Sequence, residues 1–144
     1  MSPRPDATAL RRPQIIEAAI TVYRKRGFAK ARMDDIAEEA GVSKGLLYRY
    51  FKSKDDLTLA ILTEMLRGEA AGMQALLDED APVPDKLLRL NDLIVGDMRQ
   101  FLELAPITFE FYASAARDFA VNEALQQSYG EMRAQLRRLI EQGT

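Results

Sequence analysis

The 144-residue chain contains no cysteine and no histidine. Without cysteine it can form neither disulfides nor thiolate metal sites. Without histidine it lacks the commonest general base and metal ligand. No apolar run approaches the ~18 residues that a membrane-spanning helix needs. The opening stretch, MSPRPDATALRR, has no apolar core of the kind a signal peptide carries. No strand pattern, internal repeat or low-complexity tract appears. A cytoplasmic protein without membrane association is the simplest expectation. The chain is long enough for one domain, or for a small domain fused to a larger one.

The net charge is small, at a formal −2, but the charges are unevenly placed. Up to Leu57 there are 12 Lys and Arg against 8 Asp and Glu; beyond it there are 8 against 14. A basic first part and an acidic remainder would dock on a polyanion by one face only.

The basic part contains the most informative stretch, MDDIAEEAGVSKGLLYRYFKSK, from Met33 to Lys54. Ile36, Ala37 and Ala40 form an apolar stripe of a first helix. Gly41 breaks it, because a sharp turn needs a residue that tolerates positive φ. Val42 fills the corner, and Ser43 can cap a second helix. Leu47 and Phe51, four apart, give that helix a buried side. Lys44, Gly45, Leu46, Tyr48, Arg49 and Tyr50 cover its remaining surface. This is the sequence form of a helix-turn-helix. The second helix carries cations and no acid, so it suits a DNA major groove. The same spacing also fits a helical hairpin in an ordinary α protein.

The rest of the chain reads as helices. Residues 1–12 are expected to be a flexible arm, in which Arg4, Arg11 and Arg12 could reach a neighbouring groove. A helix starts at Pro13 and ends at Gly27, and it braces the helix-turn-helix of residues 13–53. Ser53 caps a long helix, with Asp55 and Asp56 in its first turn, that extends as far as Leu77. DEDAPVPD is a loop. A further helix runs from about Pro84 or Asp85 to Leu104, a short one from Pro106 to Ala116, and a last one from near Phe119 to Gln142. The expectation is an all-α chain of about seven helices, with residues 54–144 as a helical regulatory domain.

The stretch IIEAAITVYRKRGFAKARMDDIAEEAGVSKGLLYRYFKSKDDL resembles the TetR family of transcriptional repressors. The resemblance covers Gln14 to about Met65, a little over a third of the chain. It implies an all-helical homodimer on a palindromic DNA operator, released when a small-molecule inducer binds the C-terminal domain. By position it implies that Lys44, Gly45 and Leu46 face bases, and that Ser43, Tyr48, Tyr50 and Lys54 meet phosphates. Arg49 could do either, and Arg32 and Asp34 open a helix that often touches DNA. For both tyrosines the alternative is partial core packing. Where the family usually caps that helix with Thr or Ser, this chain has Ala31 and Arg32, so a cap worth about 1 kcal/mol is expected to be missing. The family typically has two further helices that pack across the dimer axis. This chain stops at LRRLIEQGT, about where they would begin, so a truncated regulatory domain is expected.

Aromatic and pliable side chains gather in the second half. By resemblance, Met65, Met98, Phe101, Phe109, Tyr112, Phe119 and Tyr129 are candidate lining of an inducer pocket, with Phe111, Met73 and Met132 nearby. Plain core packing is the alternative for each. Glu110 and Arg117 could orient a polar ligand or form a surface ion pair. An apolar or aromatic inducer fits this composition best, and no cofactor is implied. The acid pairs Asp34/Glu38 and Asp35/Glu39 read as solvated helix faces, and no nucleophile with its base, phosphate loop or metal cluster is evident. No catalytic or metal residue is therefore assigned, and an enzyme is not expected. The rival to a DNA-binding regulator is a truncated helical interaction or ligand-binding module without productive DNA binding.

Overall fold

The computed structural model describes residues 7–96 and 98–144, except for the side chains of residues 7–9, 100 and 101. Among the described residues there are seven α-helices and no strand: α1 (Ala7–Arg26), α2 (Met33–Ala40), α3 (Lys44–Tyr50), α4 (Lys54–Asp78), α5 (Val83–Val95), α6 (Met98–Ala115) and α7 (Phe119–Gln142). No described helix is long and apolar enough to cross a membrane.

α1 starts at Ala7, ahead of Pro13, so residues 7–12 are helix and not arm; Arg4 lies outside the described residues. Pro13 forfeits one helical hydrogen bond. The flanking Ala, Leu and Arg are strong helix formers, and the Arg12 guanidinium lies 4.8 Å from the centre of the Phe51 ring. That contact is tertiary, and sequence periodicity does not register it. α1 ends on three cations, Arg24, Lys25 and Arg26, which complement the helix dipole. Gly27 follows at φ 78°.

A second correction concerns α5 and α6. The chain does not run helical to Leu104 and restart at Pro106. It breaks at Gly96, whose φ of 40° and ψ of −152° suit a residue without Cβ, and then passes helically through Pro106. The ring of Pro106 is exposed, so it costs the helix a hydrogen bond without disturbing a packed surface.

The larger core joins both halves of the chain. It holds Tyr23 of α1, Ile36 of α2, Leu47 of α3 and Leu57 and Ile61 of α4, together with Ile107 and Phe111 of α6 and Val121 and Leu125 of α7. Inside it the Tyr23 and Thr58 hydroxyls share a hydrogen bond of 3.2 Å. A smaller core of Met73, Leu76, Leu77, Leu90 and Leu139 closes the far end of α4.

Beside the smaller core lies a lysine that the sequence does not flag. Lys86 is only 3% exposed. Its Nζ donates to the Leu77 carbonyl at 2.9 Å and to Gln142 Oε1 at 2.9 Å. Gln142 Nε2 donates to the same carbonyl at 3.2 Å. One side chain thus ties the ends of α4 and α7 to the start of α5 and satisfies a carbonyl that helix geometry leaves open. Replacing Lys86 with Met keeps the apolar stem but removes the donors. The expected loss is about 1–3 kcal/mol of stability, read as a lower midpoint in urea unfolding.

Candidate nucleic-acid interface

α2 and α3 are joined by a tight turn. Gly41 takes φ 67° and ψ 31°, and its N–H donates to the Glu38 carbonyl at 3.1 Å. The Val42 N–H donates to the Ala37 carbonyl at 3.0 Å, so the end of α2 is closed as the chain turns. α3 is then capped by Ser43, whose Oγ accepts the Leu46 N–H at 3.1 Å.

The missing side-chain cap of α2 is partly offset. Arg32 occupies the cap position, and its backbone N–H donates to Asp35 Oδ2 at 3.1 Å. This is the return half of a capping box, kept without the forward half. Asp34 and Asp35 also sit in the first turn, where the dipole favours acids.

The two sides of α3 differ sharply. Leu47 and Phe51 are 0% and 1% exposed. Each side chain removed from water to this degree contributes roughly 1.5–3 kcal/mol. On the opposite side Lys44, Gly45, Tyr48 and Arg49 are exposed, while Leu46 and Tyr50 are half-buried. Tyr50 packs partly against the larger core. A Cβ added at Gly45 would meet nothing within 4 Å, so the glycine answers no internal packing need.

Lys44 Nζ lies 2.8 Å from Asp34 Oδ2, linking the first turns of α3 and α2. The hydrogen bond to Asp34 raises the Lys44 pKa, and the aspartate's charge adds to the effect. Arg26 pairs with Asp35 at 3.3 Å and Lys25 with Glu39 at 3.9 Å. Three of the four acids of α2 are thus paired, and Arg32 and Arg49 are exposed beside them.

Lys54 departs from expectation. Its ammonium donates to the Phe28 carbonyl and stands 4.2 Å from the centre of the Phe28 ring. Partial burial lowers its pKa. The side chain closes the α1–α2 loop onto α4 and is not held out beside the α4 N-terminus to clamp an anion. Its stem is drawn inward by aromatic surface that no local motif predicts.

The ligand-pocket expectation fares less well. Met98, Phe109, Tyr112, Phe119 and Tyr129 are 56%, 64%, 49%, 80% and 44% exposed. Met65 is half-buried against the larger core, and the Phe101 side chain is outside the description. None of the six others lines the cavity of about 230 Å³ between α4, α5 and α7. That cavity is bounded by Met73, Leu90, Leu93, Ile94, Met132 and Leu136, with Glu69, Ser128 and Gln135. Periodicity places aromatics on helices but cannot say which of two apolar sides faces inward. Tyr129 lines an adjoining open groove that shares Met132 and Leu136. Phe111 is core. Glu110 and Arg117 form an ion pair at 3.7 Å, with Arg117 largely exposed.

With this geometry in hand, comparison with known proteins is informative. Residues 15–61 match the family model for bacterial regulatory proteins, tetR family. The HTH-type transcriptional regulator YfiR of Bacillus subtilis is 28% identical over 133 residues, which are 92% of this chain and 65% of YfiR. A solved TetR transcription regulator from Haloarcula marismortui superposes with a TM-score of 0.83 at 23% identity, over 94% of this chain and 71% of that one. The fatty acid degradation regulator FadR from Bacillus halodurans gives a TM-score of 0.73 at 28% identity, over 92% and 67%. The chain spans under two thirds of the length of the curated relatives it matches. The capped helix-turn-helix and these matches agree: residues 15–61 are a helix-turn-helix region of the tetR family of bacterial regulatory proteins, and the described helices share the fold of solved TetR regulators.

Proposed function

We propose that this chain is a sequence-specific DNA-binding transcription regulator, and specifically a repressor that leaves a palindromic operator when a small molecule binds among α4–α7. Residues 13–53 carry the DNA contacts and residues 54–144 the response. A single observation carries the reading: α3 is locked by Leu47 and Phe51 on one side and presents Lys44, Gly45, Tyr48 and Arg49, with no acid among them, on the other.

Each exposed group has a chemical use there. Gly45 lets the helix lie close to the base edges. Lys44 and Arg49 donate to guanine or to phosphate, and the exposed part of Leu46 meets a thymine methyl. The Ser43 oxygen is used as an acceptor by the Leu46 N–H, which leaves its O–H free to donate to a phosphate. Tyr48 supplies a second phosphate donor, and Arg32 a third at the start of α2. Tyr50 contributes mainly through its packing. Asp34 holds Lys44 in the free protein; beside a phosphate the carboxylate is repelled, and Lys44 is handed to the DNA. A homodimer would place two such helices one DNA turn apart.

The test is selection of a duplex from a randomised library, followed by binding measurements on variants. Lys44→Ala and Tyr48→Ala are each expected to weaken the selected site by about 1–3 kcal/mol per protomer. Unchanged affinity in both would remove α3 from the interface.

Gly45→Ala separates fold from function. It is expected to keep or raise thermal stability, by up to about 1 kcal/mol, since Ala is the better helix former. At the same time it should weaken operator binding through steric crowding. A variant that binds like the parent would show that α3 does not approach the bases closely.

Asp34→Asn removes the carboxylate next to Lys44. Tighter binding to random duplex, with a steeper dependence on salt, is expected. A flat response would mean that the pair stands away from the phosphates.

A further inference from the structure

The cavity between α4, α5 and α7 is walled mostly by carbon, but one charged group lines it. That group is Glu69, exposed where α4 borders the cavity. No Lys or Arg among the described residues pairs with it, although Glu64, Glu79 and Glu110 each have an arginine. The other polar lining is less demanding. Gln135 already donates its amide to the Ala70 carbonyl at 3.1 Å, and Ser128 is an adaptable hydroxyl.

We infer that this cavity selects a small organic cation, whose apolar body packs on Met73, Leu90, Leu93, Ile94, Met132 and Leu136 and whose charge is met by Glu69. The inference deepens the proposed function, since it rests on that cavity being the inducer site.

Two observations support the sign of the charge, and a third bears on the size of the ligand. Partial burial against the cavity raises the pKa of the otherwise exposed Glu69, and a counter-charge would stabilise its carboxylate. Next to the cavity, the Tyr112 and Tyr129 hydroxyls hydrogen-bond to each other across α6 and α7. That bond, then burial, then the charges of Tyr129 and Glu69 push the Tyr112 phenol up to about 12. The Tyr112 ring stays neutral, and both rings have π-faces that suit a cation. The cavity is also small: about 230 Å³ lies below the ~300–1,000 Å³ of most ligand pockets. It therefore suits a compact ligand, in which one charged end is a large fraction of the molecule. Arg133 lines the adjoining groove and is not among the residues that line the cavity.

The test uses three probes of one shape and different charge: cyclohexylmethylammonium, cyclohexylmethanol and cyclohexanecarboxylate, titrated calorimetrically into the full chain. The cation is expected to bind roughly tenfold more tightly than the alcohol, with the carboxylate weakest. Glu69→Gln should erase the preference for the cation and leave the alcohol unchanged. Met132→Trp, which fills the cavity, should abolish binding of both. Equal binding of the three probes, a preference for the carboxylate, no binding at all, or a cation preference that survives either substitution would overturn the inference. Binding of the selected duplex, measured on the same preparations without probe, is independent of these outcomes. A chain that holds its operator but shows no charge preference therefore refutes the ligand class alone.

Discussion

A seven-residue helix does not persist in water on its own, because helix nucleation is costly and short helices recover little of that cost. α3 exists because Leu47 and Phe51 are removed from solvent. The rest of the structure can be understood as the machinery that keeps those two side chains covered. α2 supplies Ile36 and Ala37, α4 supplies Leu57 and Ile61, and α1 lies against them while Arg12 covers the Phe51 ring. With the inner side held in this way, the outer side carries little structural duty beyond the Lys44–Asp34 pair and the partial packing of Tyr50. This division lets exposed cations and tyrosines stand at defined positions on a helix too short to hold itself.

The same core provides a path between the two ends of the molecule. α4 enters the larger core through Leu57 and Ile61 and the smaller one through Met73, Leu76 and Leu77. α7 does likewise through Val121, Leu125 and Leu139. The cavity lies beside the smaller core, and α3 stands on the larger one. A ligand that prefers one placement of α4 over another would therefore bias the seat of α3 through packed side chains. Close-packed interiors transmit such shifts because they have little free volume to absorb them.

What the sequence disclosed follows from the range of the forces involved. The α2–turn–α3 unit is built from local signals: a glycine that must take positive φ, a serine that caps, and an apolar pair four residues apart. All three were legible, and so were Ser53 at the start of α4 and the start of α7. The errors arose where distant contacts override local grammar. Pro13 and Pro106 both look like helix starts, yet both lie inside helices. Lys54 looks like an anion clamp until Phe28 is brought beneath it. Lys86 carries no local signal, and only the turn after α4 folds it back onto Leu77. The aromatics of α6 and α7 pointed to a pocket, but the pocket formed from methionines and leucines whose spacing is indistinguishable from core. Glu69 offered no sequence signal at all, since an unpaired acid on a helix normally faces water.

The open space around Gly45 has an evolutionary corollary. Nothing inside the protein presses on the position of Gly45, so a small side chain there is nearly neutral for folding. In the proposed DNA-binding role, sequence preference could then shift at this position without passing through an unstable intermediate. A scaffold built like this can be retargeted to new genes while its core stays the same.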